Sequence, residues 1–262
     1  MRWAGFQRVR RQVCKRIDRR RQALGLADIT AYRGYLAAHP AEWHVLDGLC
    51  RITISRFYRD RAVFDRLRQD IMAGLACAAR AAEGTLRCWS AGCASGEEPY
   101  SLALIWALEL APRFANLACA IIATDLDSAL LRRAERGCYP RASLRELPAA
   151  WIDAAFHRQD RLYCLSEAVR APVSFRHQDI RIAMPSGPFH LVLCRNLVFT
   201  YFDAALRRHM LARIAAVTAP GGVLVLGRGE TLPEPADRFL PLDRALGLYR
   251  KTLDDTRCAI ET

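Results

Sequence analysis

The chain has 262 residues, of which 52% are hydrophobic and 25% charged, so it can bury an ordinary core and is not disordered throughout. The net charge of +12 favours an acidic partner (nucleic acid, an anionic membrane or an acidic protein surface) or simply a well-solvated surface. No apolar run approaches the roughly 18 residues of a membrane span, and the N-terminus lacks the apolar segment of a secretory signal. We therefore predict a cytoplasmic protein with no membrane insertion.

The first part of the chain, residues 1–70, predicts a small all-helical domain. One face of its first helix is apolar and arginines cover the other; the apolar residues are Val9, Val13, Ile17 and Leu24. Further helices are predicted at 28–40, 40–57 and 60–82. A second domain is predicted over residues 71–262.

From about residue 85, short apolar runs alternate with helical segments. The predicted strands are 85–91, 117–125, 173–179, 189–196, 222–227 and a late one at 246–253. Nearly continuous apolar strands separated by helices indicate a parallel sheet covered on both faces, so we predict a doubly wound α/β fold. A β-hairpin insertion is predicted at 161–176, its second arm running into the third strand.

The ten cysteines are scattered and do not have the spacing of a zinc site or a CxxC redox motif. Cys88, Cys119 and Cys194 stand in apolar runs, where cysteine behaves as a small hydrophobic residue. We therefore predict no metal site and a reducing compartment.

Ligands bind open parallel sheets beyond the carboxyl ends of the strands, so the residues that follow each strand are the most informative. Those residues are Gly92, Gly96, Glu97 and Glu98 after the first strand, Asp125 and Asp127 after the second, Asp179 after the third, and Arg195, Asn196 and Leu197 after the fourth. Each one alone has an ordinary interpretation, such as a turn glycine or a helix N-cap. Their coincidence at successive strand ends indicates a binding site.

The residues of the loop after the first strand restrict the class of ligand that can bind there. It lacks G-x-G-x-x-G and the lysine of a phosphate-binding loop, and its acidic residues would repel phosphate. Acidic side chains suit a ligand with an ammonium group, and an acid after the second strand can accept from ribose hydroxyls. A nucleoside with a cationic amino-acid tail meets these requirements, so we predict S-adenosylmethionine as the cofactor.

Four segments carry a resemblance to a known family: "TISRFYRD", "WSAGCASGEEPYSLA", "ATDLDSALLRRAERGCY" and "LVLCRNLVFTYF". In order and spacing they resemble the CheR-type chemoreceptor glutamate methyltransferase family, and the resemblance covers nearly the whole chain. It implies a class I methyltransferase-like doubly wound sheet, mostly parallel with one late antiparallel strand, a helical N-terminal domain and a short β-hairpin insertion. It also implies methyl transfer from S-adenosylmethionine to glutamate side chains of receptor proteins.

The same resemblance implies roles for individual residues. The implied cofactor-binding residues are Thr53, Ser55, Arg59, Gly92, Glu98, Asp125, Asp179, Asn196 and Leu197. Glu98 would face the methionine end, Asp125 the ribose and Asp179 the adenine. Arg59 and Tyr201 would lie near the transferred methyl and are the predicted catalytic residues. Because a glutamate carboxylate is already ionised near neutral pH, the reaction needs no general base, and the enzyme's task is alignment and exclusion of water.

The substrate is less clearly indicated than the cofactor. The basic helix from Arg8 to Arg21 is either a solvated face or, as the resemblance implies, a docking surface for an acidic helical protein. Another acidic protein, a small carboxylate, or a non-catalytic role in sensing S-adenosylmethionine stay open. A nucleic-acid substrate is less favoured, because the Asn/Asp-Pro-Pro-aromatic signature is absent after the fourth strand. Thr53, Ser55 and Arg228 depart from the family's usual residues, which leaves their contributions open.

Overall fold

The computed structural model describes residues 10–50, 55–82 and 84–253, without the side chains of His44 and Asp47. It divides the chain into two compact units, Met1–Ile54 and Ser55–Thr262. The sequence placed this boundary near residue 70. The division comes earlier because Phe57, Phe64 and the helical residues that follow them are buried in the core of the second unit.

The first unit contains α1 (Arg10–Ala23), α2 (Ile29–Ala38) and α3 (Glu42–Cys50). The first two lie close to predicted helices, but the helix predicted at 40–57 was extended too far, since residues 55–57 are not helical. Glu42 is buried and receives hydrogen bonds from Nε and Nη2 of Arg20 at 2.9 and 2.8 Å and from the Tyr32 hydroxyl at 3.0 Å. The Arg20 guanidinium holds the pKa of Glu42 below its usual value, while burial and the nearby Glu42 raise the pKa of Tyr32 to about 12. This charged cluster joins the three helices.

The second unit begins with α4 (Arg61–Arg66), which continues through a π-helical turn (Leu67–Ile71) into α5 (Met72–Ala81). The first two strands of the sheet and their helices follow in alternation: β1 (Leu86–Ala91), α6 (Glu97–Ile105) with a π-helical turn (Trp106–Leu110) and a 3₁₀ turn (Ala111–Arg113), β2 (Cys119–Asp125) and α7 (Ser128–Arg136). The predicted helix at 60–82 is therefore present, and the two predicted strands fall within a few residues of their observed positions.

A small antiparallel sheet interrupts this alternation. Its strands are β3 (Cys138–Pro140), β4 (Phe156–Gln159) and β5 (Leu162–Leu165), in the order β3-β5-β4. A 3₁₀ turn (Arg141–Leu144) and α8 (Ala149–Ala155) connect β3 to β4, and α9 (Glu167–Arg170) follows β5. A hairpin is present, but the prediction of its arms at 161–176 was wrong. The turn lies at Asp160, whose positive φ of 52° a short hairpin turn accommodates, and residues 167–170 are helical rather than a strand.

The rest of the chain completes the main sheet with β6 (Val173–His177), β7 (Phe189–Cys194), α10 (Val198–Tyr201), α11 (Ala204–Val217), β8 (Thr218–Leu226), β9 (Phe239–Asp243) and β10 (Leu248–Lys251). Within the described residues, the main sheet has the order β6-β2-β1-β7-β8-β10-β9. The five strands from β6 to β8 in this order are parallel, and β10 is antiparallel to both of its neighbours. This confirms the predicted mostly parallel sheet with a late antiparallel strand. The sequence missed β9, where Pro241 is tolerated because the strand lies at the sheet edge.

Both faces of the sheet are covered, as near-continuous apolar strands predict. Alternate residues of β7 belong to different cores, with Leu191 and Leu193 on one face and Val192 and Cys194 on the other. The side-chain alternation of a strand accounts for this division, because successive Cβ atoms point to opposite faces. In the described part of the chain, no helix is both long and apolar enough to span a membrane.

Two cysteines form a disulfide across the small sheet. Cys138 in β3 is directly opposite Cys164 in β5, and the two are disulfide-bonded. The sequence analysis did not predict this pair, because sequence spacing does not reveal which strands lie side by side. Since disulfides are uncommon in reducing compartments, the pair also weakens the sequence-based argument for one.

Reduction of this disulfide is expected to destabilise the second unit. The bridge closes a loop with a sequence separation of 26 residues, and chain entropy then assigns it at most about 3.5 kcal/mol of the free energy of unfolding. Denaturant unfolding with and without reductant measures the loss. The Cys138→Ser/Cys164→Ser double variant should show the reduced stability in both conditions, whereas a wild-type protein that is insensitive to reductant would contradict the bridge.

Candidate functional site

The loops after β1 and β2 are held together by Asp125. Its Oδ2 accepts a hydrogen bond from the backbone N–H of Ala94 at 2.8 Å, and its Oδ1 accepts from the N–H of Asp127 at 2.9 Å. The N–H groups of Gly92 and Cys93 donate to the Thr124 carbonyl at 2.8 and 3.0 Å. Because a carboxylate has about four acceptor positions, Asp125 retains capacity for the hydroxyls of a ribose.

Two glycines allow the loop after β1 to approach its neighbours. Gly92 has a φ of +75°, and a Cβ atom there would lie 2.8 Å from Cδ2 of Leu197 in the loop after β7. Gly96 has a φ of +90°, and a Cβ atom there would lie 2.8 Å from the Cβ of Ala134 in α7. Larger residues at either position would be strained and would push the neighbouring elements away.

The adjacent acids Glu97 and Glu98 have different surroundings. Glu97 is 1% exposed and its carboxylate accepts a hydrogen bond from the Ser95 hydroxyl at 2.7 Å, so it stabilises the loop from within. The side chain of Glu98 is 18% exposed and accepts from the Ser90 hydroxyl at 2.7 Å and from Nη1 of Arg195 at 3.2 Å. Of the two, Glu98 therefore has the position from which a carboxylate could meet a cationic ligand.

Arg195 is the site-edge residue whose role the sequence did not predict. Its side chain is only 2% exposed and lies between two carboxylates, those of Glu98 and Asp60. Its Nη2 also donates to the backbone carbonyl of Arg59 at 3.2 Å, and the guanidinium lies 5.5 Å from the centre of the Phe64 ring. The available signal was its position directly after a buried strand, but its partners are distant in sequence.

The segment before α4 holds Arg59 in a tightly defined turn. Tyr58 and Asp60 on either side of it both have left-handed backbone conformations, with φ of 56° and 64°. Such conformations cost roughly 1–3 kcal/mol each for non-glycine residues, and local contacts maintain them here. The Tyr58 N–H donates to the Ser101 hydroxyl at 2.9 Å, and the Phe57 N–H donates to the Ser143 carbonyl at 3.1 Å.

The other predicted site residues of this segment are less well defined. Ser55 is half-buried and belongs to the second unit, as Arg59 does, rather than to the helical unit as the sequence analysis expected. Thr53 lies outside the described residues.

The loop after β7 brings the next predicted residues together. Asn196 has a φ of +55°, and its N–H donates to Oε2 of Glu230 at 2.9 Å. Leu197 packs against Gly92, and α10 then ends at Tyr201. Burial raises the pKa of the half-buried Tyr201, the negative charge of Glu230 adds to the rise, and the positive charge of Arg59 opposes it. The two predicted catalytic residues therefore lie within electrostatic range of each other.

The carboxylate of Asp179, the predicted adenine contact, is already paired with a neighbouring arginine. Its carboxylate accepts from Nε and Nη2 of Arg181 at 2.9 and 2.6 Å, and this guanidinium holds the pKa of Asp179 below its usual value. The preceding Gln178 donates its N–H to the Asp125 carbonyl at 3.0 Å, which places this loop beside the end of β2. Asp179 is therefore near the site edge, with a carboxylate that is already paired.

The side chains beyond the carboxyl ends of β1 and β2 fit the predicted cofactor. Glu98 and Asp125 offer acceptors for an ammonium group and for ribose hydroxyls, and the glycine loop lacks a lysine that would favour a polyphosphate. Among the described residues, no group of three or more His, Cys, Asp or Glu side chains is placed to hold a metal ion.

The strand order, with its late antiparallel strand, is that of a class I methyltransferase-like fold, and the acidic edge beyond β1 and β2 lies where such a fold binds its ligand. A sequence model of the family described as "CheR methyltransferase, SAM binding domain" matches residues 53–245. The chain is 35% identical over 189 residues to the chemotaxis protein methyltransferase of Listeria monocytogenes, covering 72% of this chain and 69% of that protein. It is 30% identical over 239 residues to the chemotaxis protein methyltransferase of Klebsiella aerogenes, covering 88% and 78%. The chain therefore belongs to the CheR methyltransferase family, and S-adenosylmethionine is its cofactor.

Proposed function

We propose that this protein transfers the methyl group of S-adenosylmethionine to glutamate carboxylates of a chemoreceptor-like protein, giving methyl esters. The observation that carries the proposal is the turn that holds Arg59 beside Arg195 and within electrostatic range of Tyr201. A half-buried arginine in a braced turn can bind a substrate carboxylate through paired hydrogen bonds. The reaction also needs no general base, because the glutamate carboxylate of the substrate is already ionised near neutral pH.

The roles of the remaining residues follow from their positions in this proposal. The bound cofactor supplies an electrophilic methyl group on a sulfonium. Glu98 would bind its ammonium end and Asp125 its ribose, while Gly92 lets Leu197 close against the loop. Arg59 would align the substrate carboxylate, and the half-buried Tyr201 would help to exclude water. Orientation of this kind can contribute roughly 7–11 kcal/mol to lowering the barrier.

The basic helix is the proposed docking surface for an acidic helical substrate. Two of its arginines are already engaged within the first unit, Arg20 with Glu42 and Arg21 with Asp18. Arg10, Arg11 and Arg19 are exposed and are the better candidates for contacts with a partner. Because exposed charges are screened beyond about 10 Å at 0.1 M salt, this docking should weaken as salt is raised. The proposal also implies a cytoplasmic protein, since receptor methylation regions would have to be reached there.

The experiment is incubation with methyl-labelled S-adenosylmethionine and a receptor methylation fragment that carries glutamates. Label on the fragment that is released as methanol by base supports a glutamate ester. A matched fragment in which those glutamates are replaced by glutamine should take no label. Label on RNA, DNA or a small carboxylate instead, or cofactor binding without any transfer, would contradict the proposed activity.

A further inference from the structure

Glu230 is a buried carboxylate that the predicted site does not include. It is 6% exposed and lies four residues after the end of β8. Its Oε2 accepts hydrogen bonds from the backbone N–H of Gly227 at 2.6 Å and of Asn196 at 2.9 Å. Its Oε1 accepts from the hydroxyl of Thr200 in α10. One carboxylate thus joins two loops and a helix at the carboxyl edge of the sheet.

The first consequence concerns the loop that carries Asn196 and Leu197. A Cβ atom on Gly227 would lie 2.7 Å from Oε2 of Glu230 and 2.8 Å from the nitrogen of Asn196, so the loops after β7 and β8 are in close contact. Asn196 has a left-handed backbone conformation, which is unfavourable without support. The hydrogen bond from its N–H to Glu230 supplies that support and fixes the direction in which Leu197 leaves the strand.

The second consequence concerns Tyr201. The helix α10 spans only Val198–Tyr201, so backbone hydrogen bonds within it do little to orient it. The Thr200 hydroxyl ties this short helix to Glu230, and Tyr201 is the next residue. The charge of Glu230 also acts on Tyr201.

We propose that Glu230 is a positioning residue, whose carboxylate holds the Asn196–Leu197 turn and the Thr200–Tyr201 end of α10 in the arrangement that cofactor binding and turnover require. It acts through these neighbours rather than by contact with the substrate. The part that concerns cofactor binding depends only on membership of the methyltransferase family. The part that concerns turnover rests on the proposed function.

Replacement by glutamine separates hydrogen bonding from charge. In Glu230→Gln the amide oxygen can accept from Gly227 and Asn196, and the amide nitrogen can donate to the Thr200 oxygen, which acts as acceptor instead of donor. The arrangement of the loops is then kept without the negative charge. In Glu230→Ala all these acceptors are lost, and two backbone N–H groups are left without them.

The experiment measures binding of S-adenosylhomocysteine by calorimetry, together with the free energy of unfolding. Glu230→Ala is expected to weaken affinity by about tenfold or more, which corresponds to roughly 1.4 kcal/mol, whereas Glu230→Gln should stay within about threefold of wild type. Thr218→Val is the matched control, because it removes a buried hydroxyl that donates to the Ile214 carbonyl at 2.7 Å, at the other end of β8. It should lower stability without changing affinity.

The results that would overturn the proposal are equally specific. Wild-type affinity in Glu230→Ala would show that the residue only stabilises the fold. An equal loss in Thr218→Val would assign the effect to general destabilisation, and a Glu230→Gln variant as weak as Glu230→Ala would assign it to charge.

If Glu230→Ala does not fold, Thr200→Val provides the test. It keeps the two backbone hydrogen bonds and releases only α10. S-adenosylhomocysteine affinity should stay within about threefold of wild type while kcat falls by about tenfold or more, because the variant loses the hydroxyl that ties α10 to the charged carboxylate of Glu230. Unchanged kcat with a substrate that the wild-type protein methylates would contradict the role of Glu230 toward Tyr201.

Discussion

Replacing Arg59 with alanine is expected to lower turnover by about a hundredfold or more while leaving the fold intact, since a misplaced reactant commonly costs that much. The backbone carbonyl of Arg59, which accepts from Arg195, is kept in the variant. Phe57 and Tyr58, which anchor the turn in the core, are also unchanged. What is lost is the guanidinium that would align the substrate carboxylate. Steady-state transfer of labelled methyl groups measures the effect, with thermal unfolding as the check on folding.

Arg61→Ala is the matched control for this experiment. Arg61 is an exposed arginine two residues later, and its Nε lies 3.5 Å from Asp65. Its removal should leave turnover near wild type, because exposed ion pairs within a helix contribute only about 0.3–0.5 kcal/mol. Arg59→Lys should give an intermediate rate, since lysine keeps the charge without the planar pair of donors. Wild-type turnover in Arg59→Ala would show that Arg59 is only a surface charge.

Replacing Arg195 with methionine is expected to cost about 3 kcal/mol or more of the free energy of unfolding, since breaking a buried ion pair leaves the partner charge uncompensated. Glu98 and Asp60 would then lose the cation that lies between them. The Arg59–Asp60 turn and the Glu98 side chain would both shift. We therefore expect S-adenosylhomocysteine affinity to fall together with stability. Denaturant unfolding and calorimetry measure the two effects.

Arg68→Met provides the comparison for Arg195. Arg68 pairs with Glu109 at 2.9 Å, but both side chains are about one third exposed. That pair should contribute no more than about 1 kcal/mol, as exposed pairs do, and its loss should not change cofactor affinity. Arg195→Met could instead lose no more stability than Arg68→Met and bind S-adenosylhomocysteine normally. That result would show that the position of Arg195 between Glu98 and Asp60 contributes neither to stability nor to cofactor binding. Arg195→Lys keeps a cation, so its losses of stability and of affinity should lie between those of Arg195→Met and Arg68→Met.

Several elements of the second unit could be predicted because their signals are local. The apolar runs that became β1, β2, β6, β7 and β8 are read from consecutive residues, and so is the glycine-rich loop with its two acids. Asp125 was predicted in the same way, from its position at the end of an apolar strand. The family resemblance rests on short motifs of this kind, which explains why it could be stated from the residues alone.

Other features depend on residues that are distant in the chain. Arg195 and Asp60 are 135 residues apart, and Glu230 is 34 residues from Asn196. Cys138 and Cys164 bond only because β3 and β5 are neighbours in the small sheet. In each case the sequence shows the chemical group but not its partner, since the partner is chosen by strand order and not by spacing.

The sequence by itself determined the alternation of apolar strands and helices, the acidic glycine loop and hence the class of cofactor, because periodicity and residue type act within a few positions. Only the tertiary structure decided that Glu97 is buried within the loop, and that Phe57 and Tyr58 belong with the sheet. It also decided that a buried arginine and a buried glutamate brace the loops. These outcomes follow from the burial of charged groups, which is tolerated only where folding brings hydrogen-bond partners together.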